Sequence, residues 1–325
     1  MDFRNKRILI TGGTGSWGKI LTKRLLQEKP KEIRIFSRNE FFQVQMNRDF
    51  NNPILNFIIG DLRDKIAIDK SCNKIDYVFH LGALKHITVC EQQPIEAIKT
   101  NIIGTENVIN AAINNNVKKV VDVSSDKSVS PVNTYGATKM IGEKLILQAN
   151  NLSNTKFMCI RAGNVMGTSG SIIPFFIDKI NKNESIPITD LRMTRFYMLL
   201  EQAIELLIKA SIVGRGGEII VTKMPACGIL NLAQALIGKG KLKHHTIGVL
   251  PGEKLHEVLV SKDESMYTIE YDKNYYVILA SLNYKKLIKH YHKYPKFKLK
   301  EYASNTFLMN QDQIKDLLNR GGFLK

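Results

Sequence analysis

The most constraining stretch of the chain lies near its start, where the apolar run KRILIT (residues 6–11) opens into TGGTGSWG. Gly12, Gly15 and Gly18 stand there at GxxGxxG spacing, between a strand pattern and a segment, residues 19–28, with helical apolar spacing. Glycines at such a turn let a pyrophosphate approach the backbone, and the free N–H groups of the helix start then face it. The spacing alone also fits a structural tight turn, but a strand before and a helix after are the context of a dinucleotide loop. Thr14, Ser16 and Trp17 share this turn and are expected to border the cofactor.

Four further apolar runs repeat the strand pattern at residues 32–36, 55–59, 76–80 and 119–123, and a fifth follows at 156–161. Helical patterns over 96–114 and 139–149 fall between or after them. Apolar runs without strict alternation, each followed by a helix, predict a parallel sheet covered on both faces. The expected fold is α/β, a Rossmann-like doubly wound parallel sheet with a smaller C-terminal substrate-binding lobe. The nucleotide-binding domain is placed at 1–165 with a return segment near 196–225, and the lobe mainly at 166–325, where Gly and Pro become more frequent.

Composition narrows the class. With 44% hydrophobic and 24% charged residues in 325, the chain can bury a sizeable core, which excludes disorder. No apolar run reaches the roughly 18 residues a membrane helix needs, and MDFRNKRILITGG has no small-residue cleavage site, so neither membrane nor signal peptide is expected. Cys72, Cys90, Cys159 and Cys227 are far apart with no CxxC, which suits a reducing cytoplasm. The net charge of +17 is spread along the chain, as on solvated faces. Only residues 285–300 (KKLIKHYHKYPKFKLK) form a dense basic, aromatic run, a weak nucleic-acid signal; no specific nucleic-acid partner is expected. His244, His245, His290 and His292 lack ligand-spaced partners and read as solvated, so no metal is expected.

The residue after the second strand selects the dinucleotide. Ser37 and Arg38 stand where an acidic residue would hold the ribose hydroxyls of NAD, and they suit the 2′-phosphate of NADP, although the arginine could instead stack on adenine. Asp61, in GDLRD, is placed to meet the adenine edge; Leu62, then Leu81, Gly82 and Ala83 after the fourth strand, and Asn101 complete the expected cofactor set. Tyr135 and Lys139 form YxxxK, one helical turn apart on one face. An ammonium beside a phenol favours phenolate and makes tyrosine a usable base. Ser125 precedes the pair by ten residues.

At this point the chain resembles the extended short-chain dehydrogenases/reductases. Within them it is similar to the UDP-N-acetylglucosamine 4,6-dehydratases of the polysaccharide-biosynthesis branch. The matching segments run from TGGTGSWGK through IFSRNE, GDLRD, HLGALKH, SSDKSVSPVNTYGATK, RAGNVMG and PITDLRMTRF to PGEKLHE, with a family-like tail at YASNTFLMNQDQIKDLL. The resemblance implies NADP and a UDP-sugar substrate. It implies that Tyr135, supported by Ser125 and Lys139, takes the 4-hydroxyl proton, that Lys127 removes the carbon 5 proton and that Asp126 protonates the departing 6-hydroxyl. Dehydratases of the UDP- and dTDP-glucose type carry Asp-Glu at this place, so the Asp126–Lys127 pair discriminates. The implied product, inverted at carbon 5, is UDP-2-acetamido-2,6-dideoxy-β-L-arabino-hexos-4-ulose. An epimerase or ketoreductase on the same fold, or a non-catalytic NADP- or nucleic-acid-binding protein, is the alternative.

Carried over motif by motif, Lys85 and His86 line the substrate side, Asn164 contacts the sugar, and Thr189, Met193 and Arg195 belong to the uridine- and diphosphate-binding stretch. Glu253 corresponds to a nucleotide-contacting carboxylate. The chain departs from the family's STDK, RYGNV, GSRGS and RPGEK at Ser125, Ala162, Ser169 and Leu250. Each of the two lost arginines would remove about 1–3 kcal/mol if it held phosphate. Relatives associate through their long helices, which implies a homo-oligomer, a dimer or hexamer.

Overall fold

RILIT folds as β1 (Arg7–Thr11), and Ile8, Leu9 and Ile10 are wholly buried, as a central strand covered on both faces requires. The computed structural model describes residues 3–168, 171–238, 240, 243–279 and 284–324. After β1 come α1 (Ser16–Leu26), β2 (Glu32–Ser37), α2 (Glu40–Phe50), β3 (Leu55–Ile59), α3 (Lys65–Cys72) and β4 (Tyr77–His80). Neither α2 nor α3 is marked by the apolar pattern of the sequence. Both begin with a capping side chain, since Asn39 accepts from the Phe42 N–H and Asp64 from those of Ile66 and Ala67.

The helix expected over 96–114 is interrupted. After a separate α4 (Ile87–Gln92), it consists of α5 (Pro94–Ile98), a π turn (Lys99–Ile103) and α6 (Gly104–Asn114). Asn101 explains the widened turn: its Oδ1 accepts the Leu84 N–H at 2.8 Å, and its Nδ2 donates to Leu84 O and Thr138 Oγ1 at 2.9 and 3.0 Å. Then follow β5 (Lys119–Ser125), a short turn of 3₁₀ helix (Asp126–Ser128), α7 (Thr134–Ala149) and β6 (Lys156–Ala162).

Among the described residues the main sheet has nine strands, and its first six run β3-β2-β1-β4-β5-β6, all parallel. The order reverses between β1 and β4, the crevice where doubly wound sheets bind nucleotides. Thr11 Oγ1 joins the two strand ends, lying 2.7 Å from His80 Nδ1 and accepting the N–H groups of Leu81 and Gly82. Strand Ile219–Thr222 returns parallel to β6. Tyr275–Ile278 then adds antiparallel to it and Thr268–Glu270 forms the edge, strands of four and three residues that the sequence pattern does not mark.

The two faces carry separate apolar layers. Leu21 and Leu25 of α1 pack with Ile204 and Leu207 of helix Leu200–Val213 on one; Ile68 of α3, Val108 of α6 and Ile146 of α7 occupy the other. Each such side chain contributes about 1.5–3 kcal/mol of burial. Helices Ile172–Asn181, Ile229–Ile237 and Gln311–Arg320 build the smaller apolar clusters of the C-terminal part. The basic run folds inward through its aromatics: Tyr291 is buried and donates to Glu218 Oε1 at 2.9 Å, and Phe297 meets the Tyr276 ring edge-on at 4.9 Å. No helix among the described residues is long and apolar enough to cross a membrane.

Candidate active site

A cavity of about 810 Å³ runs from the glycine turn to the end of β5. Gly12 takes φ +65° and a Cβ there would stand 2.8 Å from Gly82 Cα, so the ends of β1 and β4 approach only with glycine. Gly12, Thr14, Gly15, Ser16 and Trp17 line the cavity where α1 begins, an arrangement that fits a dinucleotide pyrophosphate. Gly18 does not line it. A Cβ on Gly18 would meet Gly13 O at 2.2 Å, so this glycine lets α1 pack onto the turn.

Ser37, Arg38, Asp61, Leu62, Leu81, Gly82 and Ala83 line the same end. Ser37 Oγ accepts from Gln43 Nε2 at 2.9 Å, and the exposed Arg38 guanidinium lies 3.9 Å from Asp61 Oδ2. Asp61 is held by Arg63 through Nε and Nη2 at 3.0 and 2.6 Å, and these bonds keep its carboxyl below the usual range despite partial burial. Asn101 is turned away, used up on Leu84 and Thr138, so it shapes the wall instead of lining it.

At the far end β5 delivers Ser125, Asp126 and Lys127. Ser125 Oγ donates to Asp126 Oδ1 at 2.8 Å and accepts the Lys127 N–H at 3.2 Å. Ser128 locks the turn, its hydroxyl 2.6 Å from Ser125 O and 2.8 Å from Glu143 Oε1, while Arg161 pairs with both Glu143 and Glu264 at 2.7 Å. Asn133 caps α7 by accepting the Gly136 N–H at 2.7 Å. A Cβ at Gly136 would come within 2.2 Å of Lys127 O, so glycine here lets Tyr135 sit against the Asp126–Lys127 turn.

Tyr135 and Lys139 line the cavity with Ser125, Asp126 and Lys127. Burial pushes the Tyr135 phenol above its ordinary value, and the ammonium groups of Lys139 and Lys127 only partly pull it back. The lysines thus act in the expected direction, but burial outweighs them. Burial also works against the Lys139 ammonium, but Asp122, 3.5 Å away, and Tyr135 outweigh it and hold its pKa up. Lys127 behaves alike: its Nζ lies 3.1 Å from Asp126 Oδ1 and 3.7 Å from Glu257 Oε1, and those charges override its desolvation. These charges favour the ammonium form of Lys127.

On the substrate side Lys85, His86 and Asn164 line the cavity, and Asn164 Oδ1 lies 3.4 Å from Lys127 Nζ. Four expected residues do not line it. Met193 is 1% exposed within an apolar cluster with Phe176 and Ile229, and Thr189 Oγ1 lies 3.3 Å from its sulfur. Arg195 donates to the carbonyls of Thr194 and Leu255, and Glu253 donates its N–H to Leu250 O. Of the family departures, Ala162 lines the cavity, Leu250 is exposed, and Ser169 lies outside the described residues.

Sequence reasoning missed Tyr197, Thr168 and Ser171 on the cavity wall. The Tyr197 side chain is buried, and among the described residues its hydroxyl has no hydrogen-bond partner. It also missed Glu257, four residues beyond Glu253 in PGEKLHE; the second carboxylate of that motif was the available signal. No cluster of His, Cys, Asp or Glu suited to a metal occurs among the described residues.

Residues 8–279 match the family described as polysaccharide biosynthesis protein. The chain is 45% identical to a UDP-N-acetylglucosamine 4,6-dehydratase (inverting) of Campylobacter jejuni, over 87% of this chain and 85% of that one. It is 44% identical to a UDP-glucose 4-epimerase of Rickettsia bellii, over 97% and 96%. Among solved structures it is similar to Pen from Bacillus thuringiensis, with 40% identity, a TM-score of 0.92 and full coverage of both chains.

Proposed function

Because the chain belongs to the polysaccharide biosynthesis protein family, we propose that it is a UDP-N-acetylglucosamine 4,6-dehydratase that inverts carbon 5, serving surface glycan or polysaccharide synthesis. The observation that carries this reading is the Asp126–Lys127 pair, joined at 3.1 Å on the wall of the cavity that also holds Tyr135. Oxidation at carbon 4 needs only a base and a hydride acceptor. Loss of water across carbons 5 and 6 needs a second base and an acid on one substrate face, and two adjacent residues at a strand end supply them.

A bound nicotinamide supplies the chemistry of taking the carbon 4 hydride and returning it at carbon 6. The glycine turn and the helix start of α1 hold its pyrophosphate, and Ser37 and Arg38 select NADP by its 2′-phosphate. Tyr135 takes the 4-hydroxyl proton, with Lys139 stabilising the phenolate and Ser125 orienting it. The 4-ketone acidifies the carbon 5 proton. Lys127 removes that proton once its own has passed to Asp126, and Asp126 gives its proton to the departing hydroxyl. Lys85, His86 and Asn164 face the sugar and its phosphates.

The Rickettsia relative, matched along nearly the whole chain, favours 4-epimerisation as a second reading. An epimerase needs no acid–base pair beyond Tyr135 and Lys139, which leaves Asp126 and Lys127 without a task. Ile95 and Ile98 on α5, Ile103 in the π turn and Ile141 on α7 are exposed apolar side chains on neighbouring elements, which supports association of copies through these helices. Four buried thiols suit a reducing cytoplasm.

The test is NMR of the NADP-loaded protein with UDP-N-acetylglucosamine in deuterated water. The expected product is the L-arabino 4-keto-6-deoxy sugar with one deuterium at carbon 5 and no net NADPH. A persistent D-xylo product removes the inversion and keeps the dehydratase. A carbon 4 epimer formed without loss of water, or NADPH accumulating in proportion to product, overturns the reading.

A further inference from the structure

Glu257 sits behind Lys127, outside the cavity lining, and is 3% exposed. Its Oε1 lies 3.7 Å from Lys127 Nζ and 3.8 Å from Arg195 Nε, while among the described residues its Oε2 has no hydrogen-bond partner. Its backbone is pinned: the Glu257 N–H donates to Ser304 Oγ at 3.0 Å, and its carbonyl accepts the Ser304 N–H at 2.8 Å. A buried carboxylate with one oxygen unsatisfied costs free energy, so its presence beside a reacting amine calls for a reason.

We propose that Glu257 is the positioning residue for Lys127, orienting its amine and supplying the counter-charge for the ammonium that forms as Lys127 takes the carbon 5 proton. This inference rests on the dehydratase reading. In the elimination the Lys127 lone pair takes the proton, the C5–H electrons become the C5=C6 bond, and the C6–O electrons leave with the hydroxyl. Asp126 donates the proton that turns the hydroxyl into water. The neutral pair thus ends as carboxylate and ammonium, 3.1 Å apart in the present geometry. Asp126 gives up its proton within the step, whereas Glu257 exchanges none; burial pushes its carboxyl up, and Lys127 and Arg195 beside it pull it back toward the charged form. The logic is that of a buried aspartate that orients a catalytic imidazole and stabilises its charged form.

The other groups around Glu257 fit this assignment. Asp126 and Lys127 face it from the turn after β5, and Arg195 faces it from strand Thr194–Met198 and offsets its charge. On its own segment Lys254 is turned to Val129 O at 2.5 Å, and His256 to Thr194 Oγ1 at 2.8 Å. Neither takes the carboxylate from Lys127.

The experiment compares wild type, Glu257→Gln and Glu257→Asp as NADP-loaded proteins in single turnover with UDP-N-acetylglucosamine. Reduced-nicotinamide absorbance reports oxidation at carbon 4, and deuterium entry at carbon 5 across a pH series reports the elimination. Glu257→Gln should oxidise carbon 4 at nearly the wild-type rate, yet slow the carbon 5 step on the order of 10²-fold, so that reduced cofactor builds up. The acid limb of the carbon 5 profile should move to lower pH, since an ammonium without its counter-charge loses its proton more easily. Glu257→Asp should recover part of the rate and of the limb. A carbon 5 step with wild-type rate and limb in Glu257→Gln overturns the inference, as does an equal fall in both steps that Glu257→Asp does not relieve. A wild type that neither reduces cofactor nor loses water from this substrate overturns the dehydratase reading itself, and the inference with it.

Discussion

Lys139 Nζ lies 3.5 Å from Asp122 Oδ2, a buried cation on α7 against a wholly buried carboxylate on β5. The other Asp122 oxygen has no hydrogen-bond partner among the described residues and lies 3.9 Å from His80 Nε2. The lysine that supports Tyr135 is therefore itself partly neutralised from below, and the strength of its field at the phenol depends on β5 as much as on the YxxxK spacing.

Replacing that carboxylate should sharpen the field. Asp122→Asn leaves the Lys139 charge without its counter-ion, so the Tyr135 phenolate becomes easier to form. The acid limb of carbon 4 oxidation, followed by reduced-nicotinamide absorbance in single turnover, should move to lower pH. Removing one partner of a buried pair should also lower stability by about 3 kcal/mol, read from urea unfolding. A limb that stays in place or moves to higher pH rules out this coupling.

His80 gives the stability a definite pH dependence. Burial, only partly opposed by Asp122, lowers its pKa from 6.5 to about 4. Between those values the unfolded chain holds a proton that folded His80 does not, so stability rises with pH through this window and is lost on acidification. The contribution is about 3 kcal/mol at one pKa unit per 1.36 kcal/mol. Urea midpoints for His80→Gln should change less between about pH 6.5 and 4 than those of wild type. Parallel curves would remove the assignment.

The two halves of the proposed reaction should separate by mutation. Tyr135→Phe should slow oxidation at carbon 4 on the order of 10²–10⁴-fold, and Lys139→Ala should act in the same direction. Lys127→Ala should spare that oxidation and block elimination, so reduced nicotinamide should accumulate in a stopped-flow trace. Absence of any reduced cofactor in Lys127→Ala would end the division of labour between Tyr135 and Lys127.

Arg38 is exposed at the end of β2 and weakly paired with Asp61 at 3.9 Å, which leaves its guanidinium available to a 2′-phosphate. Arg38→Ala should weaken NADP binding by about 1–3 kcal/mol, as expected for one charge-assisted contact, and leave NAD almost unchanged. Calorimetric titration with both dinucleotides decides it; equal losses would remove the role.

Much of the site was legible because neighbouring residues act through fixed backbone periods. Tyr135 and Lys139 share a helix face whatever the rest of the chain does. Gly12 and Gly15 line the cavity because a strand must turn tightly into a helix at that place. Ser125, Asp126 and Lys127 arrive together at the end of one strand.

Tertiary structure decided which distant groups set the charges of these residues. Glu257 reaches Lys127, and Asp122 and His80 come together, only because separate strands and the returning C-terminal segment bring them side by side. Sequence spacing puts Asn101 in a regular helix facing the cofactor, but Leu84 and Thr138 claim its amide at a π turn. Met193 and Gly18 sit within the right motifs, yet packing turns one into the core and sets the other against Gly13. Motif spacing places a residue along the chain, whereas its exposure and its charged neighbours depend on the contacts made when the chain folds back, and those contacts set how readily Lys127, Lys139 and Tyr135 give up a proton.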